Sequence, residues 1–153
     1  MAREPRPKSE YDQKLIDLRR VARVMAGGRR FTFRAALVGG NRKGSVGFGV
    51  GKAGDTSQAI EKAARAARQN LILVPINDQG SIAHEVWAKY GSARIVLRPA
   101  KEGKGLVAGG AARIVLAHAG VRNASAKILS HTKNKLTNAK VAMEALKQLV
   151  AKK

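Results

Sequence analysis

Cysteine is absent from the 153 residues, and with it go disulfides, thiolate metal centres and cysteine nucleophiles. Acids are scarce: 10 Asp and Glu face 30 Lys and Arg, a formal charge of +20. Aromatic residues make up 4% of the chain against 44% apolar residues in all, so its core must be built from aliphatic side chains and alanine. No apolar run approaches the roughly 20 residues of a membrane span. The stretch Met1 to Gln13 lacks the apolar centre of a secretory signal, and Glu4, Glu10 and Asp12 argue against an acid-poor transit peptide. A cytoplasmic protein is expected.

What is present is positive charge. Divided after Pro75, each half carries +10, so the excess is no detachable tail. A compact body of this charge repels itself unless a polyanion neutralises it. The length allows one domain or two small ones.

Met1 to Gln13, polar and with Pro5 and Pro7, reads as a mobile arm. Leu15 to Met25 reads as a strand, broken by Ala26-Gly27-Gly28-Arg29-Arg30. Phe31 to Val38 and Ser45 to Val50 form a hairpin about the turn from Gly39 to Gly44. Asp55 or Thr56 caps a helix whose buried stripe is Ile60, Ala63, Ala64, Ala67 and Leu71. Asn77-Asp78-Gln79-Gly80 marks a domain seam, giving units 14–77 and 78–153. Ser81 to Trp87 and Arg94 to Leu97 form a second hairpin. A helix from Ala111 to Ala119, a strand from Val121 to Leu129 and a helix from Thr137 to Val150 follow. The order is β-β-β-α, then β-β-α-β-α: an α+β chain of two small domains.

Catalytic chemistry finds little support. The glycine-rich stretch Gly44 to Gly54 fails as a Walker A loop, with Val46 in place of its first glycine and Ala53 after Lys52. Gly49, Gly51 and Gly54 spell GxGxxG, yet the strand before them pairs antiparallel, where a dinucleotide fold needs a parallel sheet. Alternate glycines strip one face of a strand, so another backbone or a phosphodiester can approach. His84, His118 and His131 lack metal-ligand spacing, and no nucleophile–base pair is suggested. No cofactor and no metal are expected, and no enzyme.

The pairs Arg19-Arg20, Arg29-Arg30 and Arg42-Lys43 fall on strands or connections with few acids nearby, which favours phosphate contact. Lys52 beside the glycines, and Lys62 and Arg65 on one helix face, join them. Phe31, Phe33 and Phe48 are assigned to the core. A structural RNA-binding protein, a free RNA chaperone and a nucleotide-binding enzyme remain the readings, in that order.

Gly28-Arg29-Arg30-Phe31, Ala36-Leu37-Val38, the run Gly44 to Ala53, Ala59-Ile60-Glu61-Lys62-Ala63, His84-Glu85-Val86, Leu97-Arg98-Pro99-Ala100, Gly103 to Gly110 and Ala119-Gly120-Val121 occur in this order. Together they resemble the family of bacterial small-subunit ribosomal protein five, over about Leu15 to Leu149. The resemblance implies an N-terminal domain like a double-stranded-RNA-binding fold and a C-terminal βαβ-type domain. It implies a place in the small subunit, with 16S rRNA as ligand, ribosomal proteins four and eight as neighbours, and no membrane or small-molecule substrate. The stretch Arg23 to Arg30, with Gly27 and Gly28, matches a loop that reaches rRNA near the head–neck junction, where spectinomycin-resistance changes occur. Arg19, Arg20, Arg42, Lys43, Gly47, Gly49, Gly51, Lys52, Lys62 and Arg65, read from the placement of charge and glycine, complete the expected rRNA-binding set. By the resemblance Gly103, Lys104, Gly105 and Arg113 lie towards protein four, at a contact tied to decoding accuracy. The chain departs from the family at Asn134-Lys135, where Asn-Pro is common, and at Ala83 and Ser57, where proline is usual.

Overall fold

The computed structural model describes residues 10–149. Two strands, β1 (Asp12–Met25) and β2 (Gly28–Gly40), are joined by a two-residue turn in which Gly27 takes φ +86°. Only a glycine adopts such a backbone without strain. The strand β3 (Ser45–Ala53), the helix α1 (Thr56–Gln69) and the short strand β4 (Leu71–Leu73) follow. The sheet is antiparallel in the order β1-β2-β3-β4.

The second unit has β5 (Val86–Tyr90), β6 (Ala93–Pro99), β7 (Leu106–Val107), α2 (Gly110–Ala119), β8 (Ala124–Ile128) and α3 (Lys135–Lys147). Its sheet runs β5-β6-β8-β7, with β7 parallel to β8, so β7, α2 and β8 form the βαβ crossover. The two-domain α+β architecture is as expected, with β4 and β7 added.

Several boundaries differ. Asp12 and Gln13 open β1 rather than ending an arm; residues 1–9 lie outside the described part of the chain. Arg29 and Arg30 stand on β2, not in a connection. Leu71 begins β4 instead of completing the stripe of α1. Ser81 makes only an isolated bridge to Asn123, and the strand starts at Val86. The last helix begins at Lys135, capped by the Asn134 side chain accepting from the Leu136 amide at 3.1 Å. The first helical position suits proline because its N–H has no partner there anyway, so the lysine leaves the helix entry intact.

The strand β2 is buried on both faces from Ala35 to Gly40. Ala35 and Leu37 pack with Ala59, Ala63 and Ala67 of α1. Ala36 and Val38, with Val46 and Phe48 of β3, join Val115, Leu116, Val141 and Leu146 of α2 and α3 in one cluster. The N-terminal sheet is thus sandwiched between its own helix and the C-terminal unit.

Candidate nucleic-acid interface

The third strand accompanies β2 only from Phe33 to Gly40. Beyond it, Val21–Met25 and Gly28–Thr32 pair with each other alone, and this ribbon projects past the sheet. The register sets Arg23 opposite Arg30, Val24 opposite Arg29 and Ala22 opposite Phe31. Opposed residues share a face, so Arg23 and Arg30 stand on one face of the ribbon while Arg29, Val24 and Phe31 share the other. Arg23, Arg29 and Arg30 are exposed and make no ion pair within the described residues. Val24 is 80% exposed and Phe31 49%. Phe31 therefore does not belong to the core as expected; the Arg20 guanidinium lies 4.6 Å from its ring centroid. Phe33 is half-buried against α1 and Phe48 is buried.

At the base of the ribbon, Arg19, Arg34 and Lys52 form a row across β1, β2 and β3. The Lys62 ammonium of α1 donates to the Lys52 carbonyl at 3.3 Å, which brings a further cation to that end of the sheet. Arg34 was not among the expected contacts; its place follows once a two-residue turn at Ala26-Gly27 fixes the hairpin register. Arg65 is exposed on α1.

Arg19 and Arg34 are not free cations. Both reach the Asp17 carboxylate, at 2.9 and 3.8 Å, and Lys135 of α3 approaches it at 3.9 Å. The Asp17 side chain is only 9% exposed. A carboxylate so placed needs such company, because an unpaired buried charge is costly. Arg19 is therefore partly committed to the fold.

Two further expectations change. Arg42-Lys43 sits at the opposite end of β2 from the ribbon, and 13 residues of strand span roughly 40 Å. Its turn is docked on the C-terminus of α2: the Arg42 amide donates to the His118 carbonyl at 3.0 Å and the Gly44 amide to that of Ala119 at 2.8 Å. Arg42 pairs with Asp12, and this hydrogen bond holds the Asp12 carboxyl below the ordinary carboxylate range. The three basic pairs thus do not form one patch.

Gly47, Gly49 and Gly51 are buried against α1. A Cβ on each would stand 2.0, 2.1 and 2.3 Å from the carbonyl oxygens of Ala67, Ala63 and Ala59. Two strand residues advance about 6.6 Å and four helix residues about 6.0 Å, so glycine and alanine mesh at every step. The approaching backbone is the protein's own helix, which removes these glycines from the RNA-contact set. On its other side β3 pairs with β4 over Ser45 to Gly47.

In the C-terminal unit, Gly103 and Gly105 take φ +85° and +78° in a tight turn. The Gly105 amide is held by the buried Asn123 side chain at 3.1 Å. Lys104 is exposed on this turn and Arg113 on the first turn of α2.

Residues 11–75 match the family described as ribosomal protein S5, N-terminal domain, and residues 88–153 its C-terminal domain. The chain belongs to the ribosomal protein S5 family. It is 44% identical over 93% of its length to the small ribosomal subunit protein uS5c of Cyanophora paradoxa, covering 83% of that protein. To the uS5 proteins of Thermosynechococcus vestitus and Synechocystis sp. it is 43% identical, over 96% and 97% of its length and 84% and 85% of theirs. An S5-family chain is a structural constituent of the ribosome, at work in translation, and not an enzyme. The strand β3, which carries the start of GxGxxG, pairs antiparallel with β2, unlike the parallel sheet of a dinucleotide site.

Proposed function

We propose that this chain is fastened to the 16S rRNA of the small subunit through the β1–β2 ribbon, in the cytoplasm or, for a plastid form, the stroma. The observation that carries this reading is the projection of the ribbon past β3 with Arg23, Arg29 and Arg30 free of acids and Val24 and Phe31 exposed beside them. Phosphates would take up the arginine charges and release counterions, so attachment should weaken steeply with salt. The exposed apolar side chains suit an unstacked base or a widened groove better than water. Arg20, Lys52 and Lys62 flank the ribbon's base, and Lys43 and Arg65 would meet separate phosphates. With two backbone-rigid domains, specificity comes from the shape of the RNA more than from base edges.

The turn Gly103-Lys104-Gly105 with Arg113 faces ribosomal protein four in this reading, and protein eight is a further neighbour. Its left-handed glycines hold Lys104 outward, which supports a contact role. Arg113→Ala is expected to raise miscoding in a reporter assay; unchanged error rates would count against the contact. The overall placement is tested by sucrose-gradient sedimentation of a lysate before and after a high-salt wash. Stoichiometric retention on small subunits is expected, and a chain found at the top of the gradient would refute it.

A further inference from the structure

A bulge in β1 aims a negative charge into the seam between the domains. The pairing of β1 with β2 slips between Leu15 and Asp17, and Ile16 and Asp17 are both buried. A bulge of this kind re-aims the side chains beside it. Asp17 pairs with Ala36, and Ala36 packs in the cluster that includes α2 and α3. Opposed residues share a face and alternate residues return to it. Asp17, the pair Arg19–Arg34 and the pair Arg23–Arg30 therefore lie along one face of the two strands. RNA that follows the ribbon on that face would run onto Arg19 and Arg34.

Asp17 is poorly served for a buried anion. Its Oδ2 atom is buried and accepts no hydrogen bond among the described residues. Arg19 Nε stands 2.9 Å from it without being aligned to donate, and Arg34 is 3.8 Å from the same oxygen. That oxygen is stabilised by charge alone, and a buried charge that loses its partners is costly. Two demands on the arginines conflict here, since phosphates that draw them outward strip the carboxylate. The Lys135 ammonium approaches the other oxygen, Oδ1, at 3.9 Å, so it displaces neither arginine. A lysine on its flexible stem can close that distance.

We propose that Lys135 is a positioning residue for RNA attachment: as the standing counter-ion of Asp17, it lets Arg19 and Arg34 pass to phosphates. The inference rests on the ribbon attachment proposed above. With Lys135 in place, one carboxylate faces three cations, and two positive charges are left over for the RNA. Without it, each arginine that turns outward leaves Asp17 with one partner fewer and none in reserve. The coupling is reciprocal: RNA that takes the arginines hands Asp17 to Lys135 and draws the start of α3 onto the N-terminal sheet. A direct phosphate contact by Lys135 differs in one respect, because it would not depend on Asp17.

A double-mutant cycle in the full chain tests this, with each variant competing against wild type for entry into small subunits. Lys135→Met should be depleted about threefold or more in the subunit peak, a coupling in the range of touching groups. Lys135→Arg should enter as wild type does. In an Asp17→Asn background, Lys135→Met should cause no further depletion, because no buried charge then needs a partner. Equal depletion in both backgrounds would make Lys135 a direct contact and overturn the proposal, as would undiminished entry of Lys135→Met. Should Lys135→Met fold poorly, Asp17→Asn alone decides. With its arginines released it should enter at least as well as wild type, and depletion of this folded variant would overturn the proposal. A wild-type chain that stays off the subunits would instead refute the attachment on which the inference rests.

Discussion

At Gly49, a methyl group decides whether a helix can lie where it does. Its Cβ would sit 2.1 Å from the Ala63 carbonyl and 2.4 Å from the Ala67 amide, both backbone atoms that move only with the helix. Overpacking typically costs about 1–3 kcal/mol, and the rigid neighbours here put Gly49→Ala at the upper end or beyond. Gly54→Ala, with nothing within 4 Å, should stay within about 0.5 kcal/mol. Denaturant titration of the two variants measures the contrast, and equal stabilities would contradict this packing. The alternation Gly47, Gly49, Gly51 is plain in the sequence, but its target is not: a strand stripped of side chains invites any backbone, and only the fold places α1 there. A second residue-scale effect concerns Asp12. Its carboxyl is held low by Arg42, so the contact stabilises above the unfolded carboxylate pKa and is lost as pH falls through the lower folded value. Arg42→Ala should return Asp12 to the ordinary range in an NMR titration; an unmoved pKa would show that the pair does not persist in solution.

At the scale of elements, local chemistry is legible in the sequence and strand register is not. Strands rich in Val, Ile and Phe, the capped start of α1 at Asp55 and the Gly120 stop of α2, with φ +95°, were all legible. The fate of each arginine was not. Reading Ala26 to Arg30 as a break hides the two-residue turn, and with it the pairings that put Arg23 beside Arg30 and Arg34 beside Arg19. An aromatic side chain on a strand is expected inward, yet Phe31 is exposed. It lies beyond the last residue of β3, where the sheet has no third strand to cover it. Arg42-Lys43 looked equivalent to the other pairs in sequence, yet its turn is spent on the end of α2. A helix C-terminus carries partial negative charge, so a basic turn docks there readily.

For the molecule as a whole, the seam between the domains is made of backbone. A Cβ on Gly40 would stand 2.2 Å from the His118 carbonyl oxygen, and one on Gly120 2.3 Å from that of Arg42. The hydrogen bonds from Arg42 and Gly44 to α2 close the same seam. With one apolar cluster running from Ile16 through α3, the two domains should unfold in a single calorimetric transition. Gly40→Ala should lower its midpoint by roughly 5 °C, taking an overpacking cost of about 2 kcal/mol for a chain of this size. Two transitions in the wild type would contradict a shared core. Lys135 adds a link of its own by bringing α3 to the Asp17 carboxylate. Rigid coupling would serve the proposed attachment, because it fixes the distance and angle between the ribbon at one end and the Gly103 to Arg113 region in the other domain.

Attachment to RNA rests most directly on the ribbon. Arg29 and Arg30 are exposed, make no ion pair in the described chain and contribute little to packing, so replacing both by alanine should leave the thermal midpoint within a few degrees. The decisive measurement is competition between this double variant and the wild type for entry into small subunits, read as their ratio in the subunit peak. Depletion of the variant by an order of magnitude or more, steeper at higher salt, is the predicted result. Equal entry of the folded variant would contradict the claim that these arginines hold the protein to its RNA.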